Sequence, residues 1–129
     1  MPKAKILVID DQSFICKLIN SRLSANDYNV VSALDGIEGL HKAHKEKPDL
    51  ILLDITMPRL DGFETARRLK SNDETKSIPI IMLTAKGVQS AIAKATNELG
   101  AVSYIVKPFR PEVLIDEIQK ALDKKREMD

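Results

Sequence analysis

The stretch KILVIDD, from Lys5 to Asp11, decides the fold class, because four consecutive aliphatic residues lead directly into two carboxylates. A strand-length apolar run without polar alternation is typical of a strand covered on both faces, as in a parallel sheet. Four similar runs follow: NVVSAL (Asn29 to Leu34), LILLDI (Leu50 to Ile55), IPIIMLT (Ile78 to Thr84) and SYIVK (Ser103 to Lys107). The sequence therefore predicts five buried strands.

Amphipathic segments of helical length separate these runs, with apolar residues at helical spacing. The strict alternation, joined by right-handed crossovers, predicts a three-layer, doubly wound (βα)5 sandwich of the α/β class with a five-stranded parallel sheet. The predicted inner faces are Phe14, Leu18, Ile19 and Leu23; Ile37, Leu40 and Ala43; Phe63, Ala66 and Leu69; Ile92, Ala95 and Leu99 within an alanine-rich segment from Val88; and Val113, Leu114, Ile118, Ala121 and Leu122 in a last helix from Pro111 to about Lys124.

Length and composition indicate one domain. The chain has 129 residues, 43% of them hydrophobic, and we expect residues 1–124 to form the domain and 125–129 a solvated tail. Lys and Arg total 20 against 19 for Asp and Glu, so no strong field favours nucleic acid or an anionic membrane. The apolar runs are far shorter than the roughly 20 residues of a membrane helix. The single cysteine, Cys16, is expected to fill the core of a cytoplasmic protein.

Polar residues close four of the five predicted strands. Asp10 and Asp11 follow the first, while Asp54, Thr84 and Lys107 lie at the ends of the third, fourth and fifth. In open parallel sheets, ligands bind at the carboxyl ends of the strands. Each residue also has a local explanation, since an aspartate can cap the next helix, a threonine can form a turn, and a lysine can simply be solvated.

Three carboxylates at neighbouring strand ends need a compensating cation. At a separation of about 4 Å each pair repels by about 4 kcal/mol with an effective dielectric near 20. Mg²⁺ suits hard oxygen ligands, and Lys107 adds a second positive charge to the same rim. A carboxylate placed beside a metal ion and a lysine is a reasonable nucleophile toward phosphorus.

Four short motifs carry a resemblance to a known family. They are DD (Asp10 and Asp11), LLDITMPRLDG (Leu52 to Gly62), TA (Thr84 and Ala85), and Tyr104 with KPF (Lys107 to Phe109). Together they resemble the receiver domains of two-component response regulators, over essentially the whole chain. The resemblance implies the flavodoxin-like strand order 2-1-3-4-5 and a signalling phosphoacceptor with no activity beyond its own phosphoryl transfer and dephosphorylation.

The resemblance also implies a role for each site residue. Asp54 matches the phosphoacceptor, and Lys107 the lysine that pairs first with this carboxylate and then with the phosphoryl group. The expected Mg²⁺ ligands are Asp10, Asp11, Asp54 and the backbone carbonyl of Thr56. Thr84 matches the switch hydroxyl, Tyr104 the switch aromatic, and the bond before Pro108 is expected to be cis.

The implied partners are a sensor histidine kinase or a histidine phosphotransfer protein as donor, and a downstream protein effector. The effector would bind a face formed by the fourth helix, fifth strand and fifth helix, and we expect a monomer or a weak phosphorylation-dependent dimer. We expect no direct contact with nucleic acid or membrane. Val102 and Ser103 replace two acids that related DNA-binding regulators use in intersubunit salt bridges, so a dimer of that style is not expected.

Three alternative functions are compatible with an α/β fold. A haloacid dehalogenase-like enzyme wants a second aspartate two residues after its first-strand nucleophile, where this chain has Gln12. A nucleotide-binding domain lacks support because the five glycines form neither GxGxxG nor a GK[ST] loop. An interaction module that keeps the fold but signals without phosphorylation stays open. His41 and His44 are expected on a solvated helix face.

Overall fold

The computed structural model describes residues 4–55, 61–85 and 100–128. The five strands in these ranges are β1 (Lys5–Ile9), β2 (Asn29–Ala33), β3 (Leu50–Asp54), β4 (Ile80–Ala85) and β5 (Ser103–Lys107). The helices there are α1 (Ser13–Ser24), α2 (Gly36–Glu46), α3 (Gly62–Ser71) and the C-terminal helix α4 (Pro111–Met128). The further helix predicted within residues 88–99 lies outside the described ranges.

The strands form one parallel sheet in the order β2-β1-β3-β4-β5. The predicted α/β class, parallel sheet and strand order are therefore confirmed. The register pairs Ile9 with Leu53, Asp54 with Leu83, and Thr84 with Val106. This alignment brings the carboxyl ends of the central strands to one edge of the sheet.

Two apolar cores lie on opposite faces of the sheet. Ile6 and Val8 of β1 belong to the core under α1 and α4, whereas Leu7 and Ile9 belong to the core under α2 and α3. All four side chains are fully buried. Each such burial contributes about 1.5–3 kcal/mol, and coverage of both faces explains why β1 is aliphatic without alternation.

The predicted inner face of α1 is partly wrong. Phe14 and Leu18 are 63% and 40% exposed, and the buried residues are Ile15, Cys16, Ile19 and Leu23. The helix begins at Ser13, and its rotation turns the stripe that starts at Ile15 toward the sheet. The expectation that Cys16 fills the core is confirmed.

Glycine sets the rotation of α2. Gly36, Gly39 and Ala43 are its buried residues, and Ile37 is 58% exposed, against expectation. A Cβ atom on Gly39 would lie 2.9 Å from Cγ1 of Ile9, so the helix backbone approaches β1 more closely than a larger residue allows. This close approach leaves Ile37 on the outer side.

The C-terminal helix is longer than predicted. It continues to Met128 instead of ending near Lys124, so residues 125–128 belong to the helix and do not form a separate tail. Ion pairs one turn apart support it, with 3.0 Å between Lys120 and Asp116 and 3.8 Å between Arg126 and Asp123. Leu114, Ile118, Ala121 and Leu122 are buried as expected, whereas Val113 is 46% exposed. No helix in the described part of the chain is long and apolar enough to cross a bilayer.

Candidate functional site

Three carboxylates meet at the carboxyl edge of the sheet. Asp10 and Asp11 follow β1, Asp54 ends β3, and one oxygen of each lies within 4.8 Å of the others. Asp10 and Asp54 are 0% and 5% exposed, while Asp11 is exposed. The cluster thus consists of two buried carboxylates and one that faces solvent.

Lys107 lies against this cluster from the end of β5. Its Nζ is 2.7 Å from Oδ2 of Asp10 and 3.5 Å from Oδ1 of Asp54, and its side chain is 17% exposed. The ammonium also lies 3.4 Å from Oε1 of Gln12, a contact that the sequence reasoning missed. One cation at the end of β5 therefore serves both buried carboxylates.

The Asp10 carboxylate is held by two donors. Its Oδ1 accepts a hydrogen bond from the Gln12 amide at 2.9 Å, while Oδ2 faces Lys107. It does not cap α1, because the N-cap residue is Gln12 and no side-chain cap is present. The carboxylate therefore organises the loop after β1 and anchors Lys107.

Gly62 brings the start of α3 against the end of β3. Its amide donates to the carbonyl of Ile55 at 2.9 Å. A Cβ atom at this position would overlap the carbonyl oxygen of Asp54 and lie 2.6 Å from Cα of Ile55. Asp61 caps α3 by accepting a hydrogen bond from the Glu64 amide at 2.8 Å. The backbone that carries Asp54 is thus buttressed by a helix start that only glycine allows.

Two further predicted site residues, Thr84 and Tyr104, lie on β4 and β5. Thr84 is buried near the end of β4, and its hydroxyl donates to the Ala85 carbonyl at 3.2 Å. Tyr104 is 46% exposed on β5, two residues before the register partner of Thr84. Thr56 lies outside the described residues. The peptide bond between Lys107 and Pro108 is cis, as expected.

The cluster has the chemistry of a site for a hard divalent cation. With all three carboxylates ionised, Lys107 compensates one negative charge and leaves an excess of two among these groups. Mg²⁺ is commonly held by carboxylates together with water and phosphate oxygens. The residues present therefore fit Mg²⁺.

Cys16 lies beside the cluster, but its thiol is unreactive. Burial raises the pKa of its thiol to about 11, and the charge of Asp10 acts in the same direction. Its Sγ donates to the carbonyl of Asp10 at 3.4 Å. A protonated, buried thiol is a poor nucleophile, so Cys16 packs and does not react.

A family model of the response regulator receiver domain matches residues 6–119. The probable transcriptional regulator ycf27 of Guillardia theta is 44% identical over 121 residues, which are 93% of this chain and 46% of that protein. The alkaline phosphatase synthesis transcriptional regulatory protein PhoP of Bacillus subtilis is 45% identical over 107 residues, 83% of this chain and 43% of that protein. The chain thus spans about half the length of the curated relatives it matches.

Solved structures show the same similarity. The chemotaxis protein CheY4 of Vibrio cholerae has a TM-score of 0.85 at 35% identity, covering 92% of this chain and 98% of that one. A response regulator receiver domain protein of Clostridium thermocellum has a TM-score of 0.90 at 32% identity, covering 98% and 99%.

The expectation of no direct nucleic-acid contact finds no support here, because the relatives are named as transcriptional regulators. The family match and the shared fold nevertheless agree on one domain type. The chain belongs to the receiver domains of the response regulators of two-component systems, a signalling family rather than classical enzymes.

Proposed function

We propose that Asp54 accepts a phosphoryl group, in the presence of Mg²⁺, from a phosphohistidine of a sensor histidine kinase or a histidine phosphotransfer protein. The observation that carries the proposal is the cluster of three carboxylates with Lys107 against it. An Asp54 carboxylate oxygen attacks phosphorus, the bond between phosphorus and the donor nitrogen breaks, and the imidazole leaves with the electron pair. Such a transfer needs positioning and charge neutralisation more than covalent help.

Asp54 suits the acceptor role better than its neighbours. Both oxygens of Asp10 have short contacts, with the Gln12 amide and with Lys107. Asp11 is exposed to solvent, where a carboxylate keeps its hydration. Asp54 lies at the strand end with a looser contact of 3.5 Å to Lys107, which leaves this lysine able to follow the transferred group.

The metal would be held by Asp10, Asp11, Asp54 and the backbone carbonyl of Thr56. Bound there, Mg²⁺ supplies neutralisation of phosphoryl charge. The described carboxylates and their charge excess support this assignment.

Phosphorylation would switch the domain through Thr84 and Tyr104. The Thr84 hydroxyl is buried and bonded to its neighbouring carbonyl, so reaching a phosphoryl oxygen requires a shift of its loop. Tyr104, 46% exposed in this structure, can then turn into the vacated space. Moving such an equilibrium from 1:99 to 99:1 takes about 5.5 kcal/mol of differential stabilisation.

The downstream partner is a protein effector that binds the face around β5, including the predicted fourth helix and the C-terminal helix. The Ser103 hydroxyl on this face donates to Glu117 at 2.8 Å within the same chain. Ser103 and Val102 offer no charge for an intersubunit ion pair, which favours a monomer or a weak phosphorylation-dependent dimer.

Intact mass spectrometry after incubation with acetyl phosphate and Mg²⁺ tests the acceptor. We expect one phosphoryl adduct on the wild type, none on Asp54→Asn and none with EDTA. Asp73→Asn is a matched control, because its side chain is 93% exposed and distant in sequence from the cluster, and it should retain the adduct.

An adduct on Asp54→Asn would show that another residue is the acceptor. If the wild type takes up no phosphoryl group and also fails to bind beryllofluoride, the phosphorylation switch is wrong. The domain would then act as an interaction module that does not depend on phosphorylation.

A further inference from the structure

A cavity lies at the end of the sheet opposite the aspartates. It has a volume of about 460 Å³ and is lined by residues that precede β4 and β5 and by the last turns of α3 and the C-terminal helix. Pro79 directly precedes β4, and Val102 directly precedes β5. The cavity therefore opens at the amino ends of these strands, between the two helical layers.

Part of the lining of this cavity is apolar. Pro79, Val102 and Ala121 all line it. Val102 is 44% exposed although it is aliphatic, whereas Ala121 is only 8% exposed. An apolar lining that includes an exposed valine favours an organic ligand over a bare inorganic ion.

Three lysines also line the cavity. Lys70 comes from α3, while Lys124 and Lys125 come from the C-terminal helix on the other face of the sheet. No carboxylate lines the cavity among the residues that the structure describes. Two nearby side chains pair with each other, since Arg126 lies 3.8 Å from Asp123. The lining residues that the structure describes thus include three cationic side chains and no anionic one, and Lys125 has a further interaction partner of its own.

Backbone hydrogen bonds hold the ammonium of Lys70. Its Nζ donates to the carbonyls of Lys76 and Ile78, at 3.2 Å in each case. Burial lowers the pKa of Lys70, and the positive charge of Lys125 lowers it further. A bound anion would relieve both the repulsion between the lysines and part of the desolvation cost of Lys70.

We propose that this cavity binds a small organic anion, with one carboxylate, sulfonate or phosphate group on an apolar body. The anionic group would lie among Lys70, Lys124 and Lys125, and the apolar body would cover Val102 and Ala121. The volume falls within the range of about 300–1,000 Å³ that is usual for small-molecule sites. The site is separate from the phosphoacceptor, and the inference does not depend on the proposed function.

A titration of the ¹⁵N-labelled full chain with 1-naphthalenesulfonate tests the proposal. This probe has one charge and an apolar body and cannot donate a phosphoryl group. We expect saturable shifts of the amides of Val102, Lys70 and Ala121. The neutral analogue 1-naphthalenemethanol and inorganic sulfate should each bind at least about tenfold more weakly. The alcohol lacks the negative charge, and sulfate lacks the apolar body.

The variant Lys124→Gln/Lys125→Gln should weaken binding of the sulfonate by about tenfold, the size expected from the loss of a charge-assisted contact. The control Lys17→Gln/Lys120→Gln removes the same charge from exposed positions outside the cavity and should change the affinity less than about twofold. Lys70 is kept, because its hydrogen bonds to two carbonyls give it a structural role.

Three results would overturn the proposal. One is the absence of saturable shifts in the correctly folded wild type. Another is an equal loss of affinity in the cavity variant and the control variant, which would indicate attraction by net charge only. The third is sulfate binding as tightly as the sulfonate, which would indicate an adventitious anion.

Discussion

The ammonium of Lys107 lies 2.7 Å from the carboxylate of Asp10 and 3.5 Å from that of Asp54, although Lys107 and Asp10 are 97 positions apart in the sequence. The shorter contact is with the carboxylate that has no exposed surface. A fully buried charge loses the most hydration and gains the most from a direct partner. Lys107 therefore has a structural role as well as its proposed chemical role.

Lys107→Met should lower the free energy of unfolding by about 2–4 kcal/mol, because it leaves buried carboxylates without their cation. Urea unfolding measures the effect, and Lys17→Met is the exposed control, with an expected change below about 0.5 kcal/mol. Mg²⁺ should restore part of the loss. Equal stability of Lys107→Met and the wild type without Mg²⁺ would contradict the charge argument.

Asp54→Asn should raise the free energy of unfolding in the absence of Mg²⁺ by about 1 kcal/mol, because it removes one of three mutually repelling carboxylates. In the wild type, Mg²⁺ at ten times its dissociation constant should add about 1.4 kcal/mol, and less in the variant. Thermal unfolding with and without Mg²⁺ measures both changes. A variant that is less stable than the wild type without Mg²⁺ would disprove the repulsion.

Gly62→Ala should be strongly destabilising and should also reduce phosphoryl uptake. The added methyl group would overlap backbone atoms of Asp54 and Ile55, which cannot move as a flexible side chain does. We expect a loss of about 2–4 kcal/mol in the free energy of unfolding, measured in urea.

Gly100→Ala is the matched comparison for Gly62→Ala. Gly100 has φ of +71°, and among the described residues a Cβ there would meet only Cε of Lys70, at 3.7 Å. Only backbone strain of about 1–2 kcal/mol is expected. If both substitutions cost the same, the clash at Gly62 does not govern its effect.

The sheet and its polar edge could be predicted from the sequence because both depend on local patterns. Aliphatic runs without alternation predict buried parallel strands, and parallel alignment brings the strand ends together wherever each run stops at a polar residue. Asp10, Asp54 and Lys107 were therefore expected at one edge, where the structure brings them together.

The rotation of the helices could not be predicted in the same way. In α1, stripes that start at Phe14 and at Ile15 both have helical spacing, and only the distance to the sheet decides between them. In α2 the rotation of the helix depends on the close approach of Gly39 to Ile9, which is a tertiary contact. The preference of Lys107 for Asp10 likewise depends on the relative burial of two carboxylates, which a sequence does not contain.

Cys16 should contribute a measurable pH dependence to stability. Burial raises the pKa of its thiol from 9.0 to about 11, so the folded state holds this proton more tightly than the unfolded chain. The stability that comes from this proton is fully present below the pKa of the unfolded chain. It is lost as the pH rises through the pKa of the folded state, so the free energy of unfolding should fall between about pH 9 and pH 11.

The test compares the loss of unfolding free energy between about pH 8 and about pH 10.5 in the wild type and in Cys16→Ala. The loss should be smaller in the variant, even if the missing sulfur makes it less stable at every pH. Tyr28, whose pKa burial also raises, is present in both proteins and cancels in the comparison. Identical losses would mean that the thiol is solvated in the folded state. Cys16 would then also react with iodoacetamide without unfolding, whereas a buried thiol should react only at the rate of opening.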